Sequence, residues 1–266
     1  MQHSNLKPFL DETAERFNTR SFIDDDPILV PHKFTRLQDR EIIGFWTAML
    51  AWGQRKTIIQ SGNRLAELMD MAPYDFILNH EEQDRARFLD FKHRTFQSLD
   101  TLWFLAYFQE YFKIHESLED AFARHITPQD AHIENALRGF HHDFFNHQDA
   151  PLRTKKHIPT PERGSTCKRL NMFLRWMVRK DDKGVDFGIW SKITPAQLLI
   201  PLDVHVDRVA RQLGLLQRKQ TDWQAVLELS ERLREYDPND PVKYDYALFG
   251  LGVLEKLNPK KKPLNR

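Results

Sequence analysis

Apolar residues recur along this chain at intervals of three and four positions, and runs that alternate apolar with polar residues are scarce. Such spacing puts apolar side chains on one face of an α-helix, whereas alternation would favour β-strands. The pattern therefore predicts an all-α fold that begins, after an N-terminal segment, with a strongly apolar helix. We expect helices over residues 34–52, 56–70, 99–112, 118–125, 131–146, 164–179, 203–214, 221–235 and 242–257.

Breaks in this helical pattern divide the chain into two helical lobes. Three prolines within residues 148–163 indicate a linker between them, because proline interrupts helices. We therefore expect four parts: an N-terminal segment that packs on the core (1–33), a first helical lobe (34–150), a second lobe (151–257) and a disordered basic tail (258–266).

The helix predicted over residues 99–112 is rich in aromatic side chains, namely Trp103, Phe104, Tyr107, Phe108, Tyr111 and Phe112. Aromatic residues at helical spacing usually belong to a core, because each buries a large apolar area. The alternative is a platform on which nucleic-acid bases stack. The sequence favours the core and leaves the platform open.

Composition excludes several classes of protein and site. No stretch approaches the ~20 consecutive apolar residues of a membrane-spanning helix, and residues 1–8 lack the apolar centre of a secretory signal. The single cysteine, Cys167, excludes an internal disulfide and a four-cysteine iron–sulfur cluster or zinc site. His141, His142 and His147 lack the remaining ligands of a metal site, so a solvated helix end is favoured over metal binding. We expect a cytoplasmic monomer without a membrane partner.

A local cluster of basic residues stands out, although the net charge of the chain is only +1. Between Arg153 and Arg169 there are six Lys or Arg residues and one acid, Glu162. Cations and the amides at a helix start can bind phosphates, and glycine allows the backbone to approach them closely. The alternative is an ordinary solvated loop. The candidate phosphate contacts are Lys155, Lys156, Arg163, Gly164, Ser165 and Thr166.

Lys168 lies at the start of the helix that follows this cluster. The helix has an apolar stripe formed by Leu170, Phe173, Leu174, Met177 and Val178. The positive end of the helix dipole at Lys168 favours a neutral amine over an ammonium. Only a neutral amine can attack a sugar carbon. Lys168 is therefore a candidate nucleophile, with an ordinary surface or phosphate-binding lysine as the alternative.

Asp203 is the strongest candidate for a catalytic carboxylate. It follows a short apolar run and precedes a predicted helix whose polar side carries His205, Arg208 and Arg211. Aspartate is a good N-cap, because its carboxylate accepts hydrogen bonds from the first helical amides. Capping and catalysis are compatible, since a capping carboxylate is held in a fixed position.

These segments resemble the helix-hairpin-helix (Gly/Pro-Asp) DNA glycosylases. Leu202-Asp203-Val204-His205 is similar to the Val-Asp-Thr-His segment of that superfamily, and residues 164–174 look like the second half of its hairpin. Residues 50–57 resemble an early helix-turn-helix of the same enzymes. The resemblance covers about residues 35–70 and 160–255. The whole chain also looks like an uncharacterised bacterial family of conserved hypothetical proteins.

The chain departs from the glycosylase pattern at two places. Only one hairpin glycine, Gly164, is matched, because Thr166 takes the place of the other. The interval between Lys168 and Asp203 is also longer than is usual in the superfamily. If the register slips by two or three residues, Ser165 or Thr166 occupies the lysine position, as in members that use water.

The resemblance implies an all-α, two-lobed base-excision repair enzyme that cleaves the N-glycosidic bond of a damaged base, with or without lyase activity. Asp203 would stabilise positive charge at C1′, and Lys168 would form the Schiff base. The partner would be DNA, without a cofactor except a monovalent cation bound by hairpin carbonyls. Further DNA contacts would come from Gln54, Arg55, Lys56, His205 and Arg208. The extruded base would lie against Phe187 or Trp190, or against the aromatic helix over 99–112.

Three other functions stay open. The chain could be a non-catalytic DNA-binding protein on the same scaffold, or an enzyme that processes RNA or nucleosides with the same carboxylate. The third is a helical protein–protein interaction module. Each of these functions predicts a different result for DNA binding and for product formation.

Overall fold

The computed structural model describes residues 6–253, and this part of the chain contains no β-strand. The all-α prediction is confirmed. Short 3-10 helices connect many of the longer elements, and no described helix is long and apolar enough to cross a membrane. The tail 258–266 and the end of the last predicted helix lie outside the described residues. The α-helices are α1 (Leu6–Phe17), α2 (Leu37–Met49), α3 (Arg55–Leu68), α4 (Pro73–Asn79), α5 (Ser98–Phe112), α6 (Glu119–Ala123), α7 (Glu134–Phe144), α8 (Lys168–Val178), α9 (Val204–Gln212), α10 (Trp223–Tyr236) and α11 (Tyr244–Val253).

Helix α2 runs through the centre of the molecule. Every residue from Glu41 to Met49 is buried, and α3, α4 and α8 pack around it. The ring of Phe45 contacts Phe104 of α5, Phe140 of α7 and Phe173 of α8 at centroid distances of 5.8, 5.4 and 5.3 Å. The aromatic residues of α5 therefore fall into two groups. Phe104 and Phe108 belong to the core, whereas Trp103 and Tyr107 line a groove against the end of α7.

The sequence pattern did not predict two of the helices, α1 and α4. The buried apolar residues of helix α1 (Leu6, Leu10 and Ala14) give only a brief apolar stripe. Helix α4 begins at Pro73 and lies between the helices predicted over residues 56–70 and 99–112. Proline fits the first turn of a helix, because its missing amide would have no partner there. The proline thus starts a helix here.

Residues 148–163, which were predicted as a linker, are packed against the rest of the fold. They form two 3-10 helices, Leu152–Lys156 and Pro161–Arg163. Thr154 is buried and donates a hydrogen bond of 2.6 Å to Asp100 of α5, and Nε2 of His157 lies 3.4 Å from the same carboxylate. The hydrophobic core is continuous from one side of this segment to the other. The division into two lobes therefore stays a prediction.

Glu41 of α2 ties three distant segments together inside the core. Its carboxylate accepts hydrogen bonds from Oγ of Ser117 (2.5 Å), from the amide of Leu118 (3.1 Å) and from Nε1 of Trp190 (2.7 Å). Burial raises the pKa of the Glu41 carboxyl to about 7, although these three hydrogen bonds oppose the change.

The raised pKa of Glu41 makes a pH-dependent contribution to stability. The folded state binds the proton more tightly than the unfolded state, whose glutamate titrates near 4.5. This contribution is therefore complete below pH 4.5 and is lost as the pH rises through about 7. We expect the unfolding free energy of Glu41→Gln, relative to wild type, to rise by about 2–3 kcal/mol between pH 5 and pH 8 in urea titrations. A constant difference would contradict the assignment.

Helix α11 is packed between α1 and α9. A side chain at Gly250 would overlap the ring of Phe17 in α1, and a Cβ at Gly252 would lie 3.0 Å from Cβ of His205 in α9. Arg208 of α9 also donates a hydrogen bond of 2.6 Å to the carbonyl of Gly252. Both glycines therefore permit the close packing of α11 against its two neighbours. These contacts fix the start of α9, where Asp203 lies.

Candidate active site

Asp203 and Lys168, the two candidate catalytic residues, line the same cavity. It has a volume of about 660 Å³ and is bounded by segments that are distant in the sequence. Its wall includes the starts of α3, α8 and α9 and one side of α11. The fold thus brings the carboxylate and the amine into one space of the size usual for small-molecule sites.

Asp203 is the N-cap of α9. Its backbone is extended, and its Oδ1 accepts hydrogen bonds from the amides of His205 (2.8 Å) and Val206 (3.0 Å). Among residues 6–253, no group donates to the second oxygen, Oδ2. The carboxylate is therefore fixed through one oxygen and keeps the other for a ligand.

Lys168 is the first residue of α8, as the dipole argument requires. Its Nζ lies 3.4 Å from Sδ of Met172, and no described carboxylate lies within 4.0 Å of it. The acids that act on it from a longer range are Asp26 and Asp245, which also line the cavity. The amine therefore has no fixed ionic partner in the part of the chain described.

The hairpin before α8 differs from the prediction in length. The helix begins at Lys168 and not at Gly164, because Gly164 and Cys167 both adopt left-handed backbone conformations (φ 68° and 49°). Ser165 accepts a hydrogen bond from the amide of Cys167, and Thr166 lines the cavity. The carbonyl of Gly164 accepts from the amide of Trp223, and that of Thr166 from Asn171. A monovalent cation at these carbonyls stays a prediction.

The candidate DNA-binding residues fall into two groups. Arg55, Thr166 and His205 line the cavity together with Asp203 and Lys168. The guanidinium of Arg55 lies 4.9 Å from the ring centroid of Phe249, and the His205 ring faces the same phenylalanine. The others do not line the cavity: Gln54, Lys56, Lys156, Arg163 and Gly164 are exposed, Lys155 and Ser165 are half-buried, and Arg208 is engaged by Gly252.

A family model described as "Protein of unknown function (DUF2400)" matches residues 26–254. The chain belongs to the DUF2400 family. Neither curated proteins nor solved structures gave a match. The expected membership of an uncharacterised conserved family is therefore confirmed, and the relation to the glycosylases stays a prediction.

The DUF2400 match begins at Asp26 and includes a buried acid that sequence reasoning missed, Asp245. Asp245 lines the cavity from α11 and pairs with Arg175 of α8. Its Oδ1 is buried and has no hydrogen-bond partner among the described residues. Burial raises the pKa of the Asp245 carboxyl to about 6, against the opposing charge of Arg175. The sequence did contain a signal for this residue, because Asp245 is an acid within the otherwise apolar run 244–251.

The aromatic residues of the cavity in this DUF2400 chain differ from those expected. Trp190 is bound to Glu41 in the core, and Phe187 packs against the ring of His32 at 4.4 Å, so neither lines the cavity. Trp52 does line it, as do two phenylalanines. The sequence could not distinguish these aromatic residues, because an aromatic side chain gives no local signal of whether it faces the core or a cavity. The cavity aromatics are Phe22, Trp52 and Phe249.

Trp52 is held in place from three sides. His157 stacks on its ring at 5.7 Å, His93 meets it edge-on at 5.0 Å, and the guanidinium of Arg169 lies 4.9 Å from its centroid. Arg169 also donates to the carbonyl of Met49, and burial lowers the pKa of its guanidinium to about 10. These contacts fix the Trp52 ring as part of the cavity wall.

The histidines near the end of α7 do not form part of this cavity. His147 lines the groove beside Trp103, and His125 donates or accepts a hydrogen bond of 2.8 Å with Asp143. Within residues 6–253, no group of three or more His, Cys, Asp or Glu side chains is placed to hold a metal ion. The cavity of Asp203 and Lys168 is therefore the candidate site.

Proposed function

We propose that the chain is a DNA N-glycosylase, which removes a damaged base from a nucleotide extruded into the cavity of Asp203 and Lys168. The observation that carries the proposal is that a carboxylate and an amine share one cavity. Among the described residues, the carboxylate is held through one oxygen and its other oxygen has no partner, and the amine has no ionic partner. An extruded nucleotide needs a cavity of this kind, with aromatic walls against which its base can stack.

In the proposed first step, the N-glycosidic bond breaks and its electron pair leaves with the base. Positive charge develops at C1′ of the sugar. The Asp203 carboxylate stabilises this charge, as carboxylates do in glycoside hydrolysis. Its two backbone hydrogen bonds hold it in position, so little reorganisation is needed during the reaction.

In the proposed second step, the amine of Lys168 or a water molecule forms the new bond to C1′. If the neutral amine attacks, one of its protons moves to O4′ as the sugar ring opens and the other is lost to solvent, which gives an imine. Loss of a C2′ proton then expels the 3′-phosphate and cleaves the strand. If water attacks, an abasic site is the product. The presence of Lys168 in the same cavity as Asp203, without an ionic partner among the described residues, supports the amine.

Three exposed cations, at the start of α3 and in the segment that leads into α8, support DNA as the partner. Lys56 follows the start of α3, and Lys156 and Arg163 lie in the 3-10 helices before α8. Gly164 has no neighbouring atom within 4 Å of the position of a Cβ, so its backbone is open to approach. These groups are suited to phosphate contacts, which make binding sensitive to salt.

The test is borohydride trapping and strand nicking on duplexes that carry oxidised, deaminated, alkylated or abasic nucleotides. We expect wild type to form a covalent adduct that Lys168→Ala abolishes, because the imine forms on this amine. Lys113→Ala is the matched control, since Lys113 is exposed at the end of α5 and does not line the cavity.

Other outcomes would replace this function. Base release without an adduct would make water the nucleophile. Salt-sensitive DNA binding without any product would favour a non-catalytic DNA-binding protein, and cleavage restricted to RNA or free nucleosides would favour the nucleoside-processing enzyme. Failure to bind nucleic acid at low salt would favour a protein–protein module.

A further inference from the structure

Asp26 is a buried acid in the wall of the cavity that neither the sequence pattern nor the proposed reaction uses. It lies between two 3-10 helices, Arg20–Asp25 and Pro27–Leu29, and is 7% exposed. Its Oδ1 accepts a hydrogen bond of 3.0 Å from the amide of Ile28. No other described group donates to this carboxylate. Its Oδ2 is therefore the oxygen left for the cavity.

Each other buried acid of residues 6–253 has a cation within 4.0 Å or three hydrogen bonds, although Oδ1 of Asp245 has no partner in this part of the chain. Glu41 and Glu119 each accept three hydrogen bonds, and Asp245 pairs with Arg175. Asp100 and Asp186 have both cationic and hydrogen-bonding partners. Asp26 has one hydrogen bond and no cation within 4.0 Å in the part described. A buried carboxylate with so few partners lowers the stability of the fold. Its presence in a cavity wall therefore points to a role in ligand binding.

We propose that Asp26 is a specificity-determining residue, whose Oδ2 accepts a hydrogen bond from an N–H group of the extruded base. This inference rests on the proposed glycosylase function and adds the part of the substrate that Asp26 contacts. A base without an N–H group at this position leaves the carboxylate unpaired and is rejected. Sites built to pair with a polar group discriminate strongly against analogues that lack it.

The chemistry of a nucleotide selects the base as the partner. A phosphate would be repelled by a carboxylate, and the proposed reaction places the sugar carbon at Asp203, which belongs to a different segment of the cavity lining from Asp26. The base is the part of a nucleotide that carries N–H donors. Lys168, Arg55 and Arg175 favour the charged form of Asp26 from a longer range, while burial raises its pKa.

The test compares base release with a reaction that needs no base. Asp26→Asn keeps the shape and the capping hydrogen bond, because asparagine caps as well as aspartate does, but it replaces an acceptor with a donor if the amide faces the cavity. On the duplex that wild type processes fastest, we expect kcat/KM for base release to fall about 10- to 100-fold. Trapping on an abasic duplex should stay within twofold, since no base is present. Asp25→Asn is the matched control, because Asp25 is adjacent and exposed.

A second measurement uses the wild-type protein and does not depend on the folding of a variant. Methylation of the N–H group on the substrate base should reduce base release by wild type about 10- to 100-fold. If wild type forms no adduct, binding to a duplex with a tetrahydrofuran abasic analogue replaces trapping as the base-independent readout.

Two results would overturn the role of Asp26 alone: unchanged base release by Asp26→Asn, or an equal loss of base release and of the abasic-site readout. The second would mean that Asp26 supports the fold or Lys168 and not the base. If wild type releases no base from any duplex, the glycosylase proposal and this inference both fail. The outcomes of the two proposals are thus distinguishable.

Discussion

Asp203→Asn is expected to reduce base release about 10³-fold or more, because the variant loses the negative charge opposite C1′. Its unfolding free energy should change by less than about 1 kcal/mol, since asparagine also caps helices well. The side-chain oxygen can still accept from the amides of His205 and Val206. Single-turnover base release and urea unfolding of the same preparation would separate catalysis from stability.

Asp222→Asn is the matched control for this experiment. Asp222 caps α10 by accepting a hydrogen bond from the amide of Ala225, and it does not line the cavity. We expect it to retain wild-type base release. Full activity of Asp203→Asn would exclude a charged role for Asp203 and leave it only as a cap.

Arg175→Met should give the largest loss of stability. Arg175 is buried and bridges Asp186 and Asp245, so its removal leaves carboxylates without their cation in the interior. Removing one partner of a buried pair typically costs about 3–5 kcal/mol. Asp186 would keep Arg179 and the hydroxyl of Tyr246 as partners, whereas Asp245 would keep no ionic partner in the described chain.

Because Asp186 keeps other partners and Asp245 does not, we expect a second substitution at Asp245 to recover part of the lost stability. In the double variant Arg175→Met/Asp245→Asn, the uncompensated charge is gone, and we expect about 1–3 kcal/mol of the loss to be recovered. Arg232→Met is the control, because Arg232 forms a surface pair with Glu235 that should contribute less than about 1 kcal/mol. The measurement is urea unfolding at pH 7. Purely additive losses would contradict the coupling.

The sequence predicted those parts of the site that depend on local structure. Asp203 was identified as a cap, because an acid between an apolar run and a helix is a local signal. The buried stripe of α8 was likewise visible from spacing alone, and Leu170, Phe173 and Leu174 are all buried. Both features depend only on residues that are a few positions apart in the sequence.

The rest of the site depends on contacts between distant segments. Asp26, Trp52 and Asp245 meet in one cavity although more than 200 residues separate the first from the last. An aromatic residue gives no local signal of whether it faces core or cavity, so Trp190 was assigned to the base when its partner is Glu41. The left-handed Cys167, which delays the start of α8, also had no recognisable pattern.

The packing of α1, α11 and α9 has a consequence for domain boundaries. The family match begins at residue 26, yet α1 covers the face of α11 opposite α9, with Phe17 against Gly250. A fragment cut at the start of the match would expose that apolar face to water and lose the support behind the cap of α9. The shortest autonomous unit that can keep Asp203 aligned with Lys168 therefore includes α1.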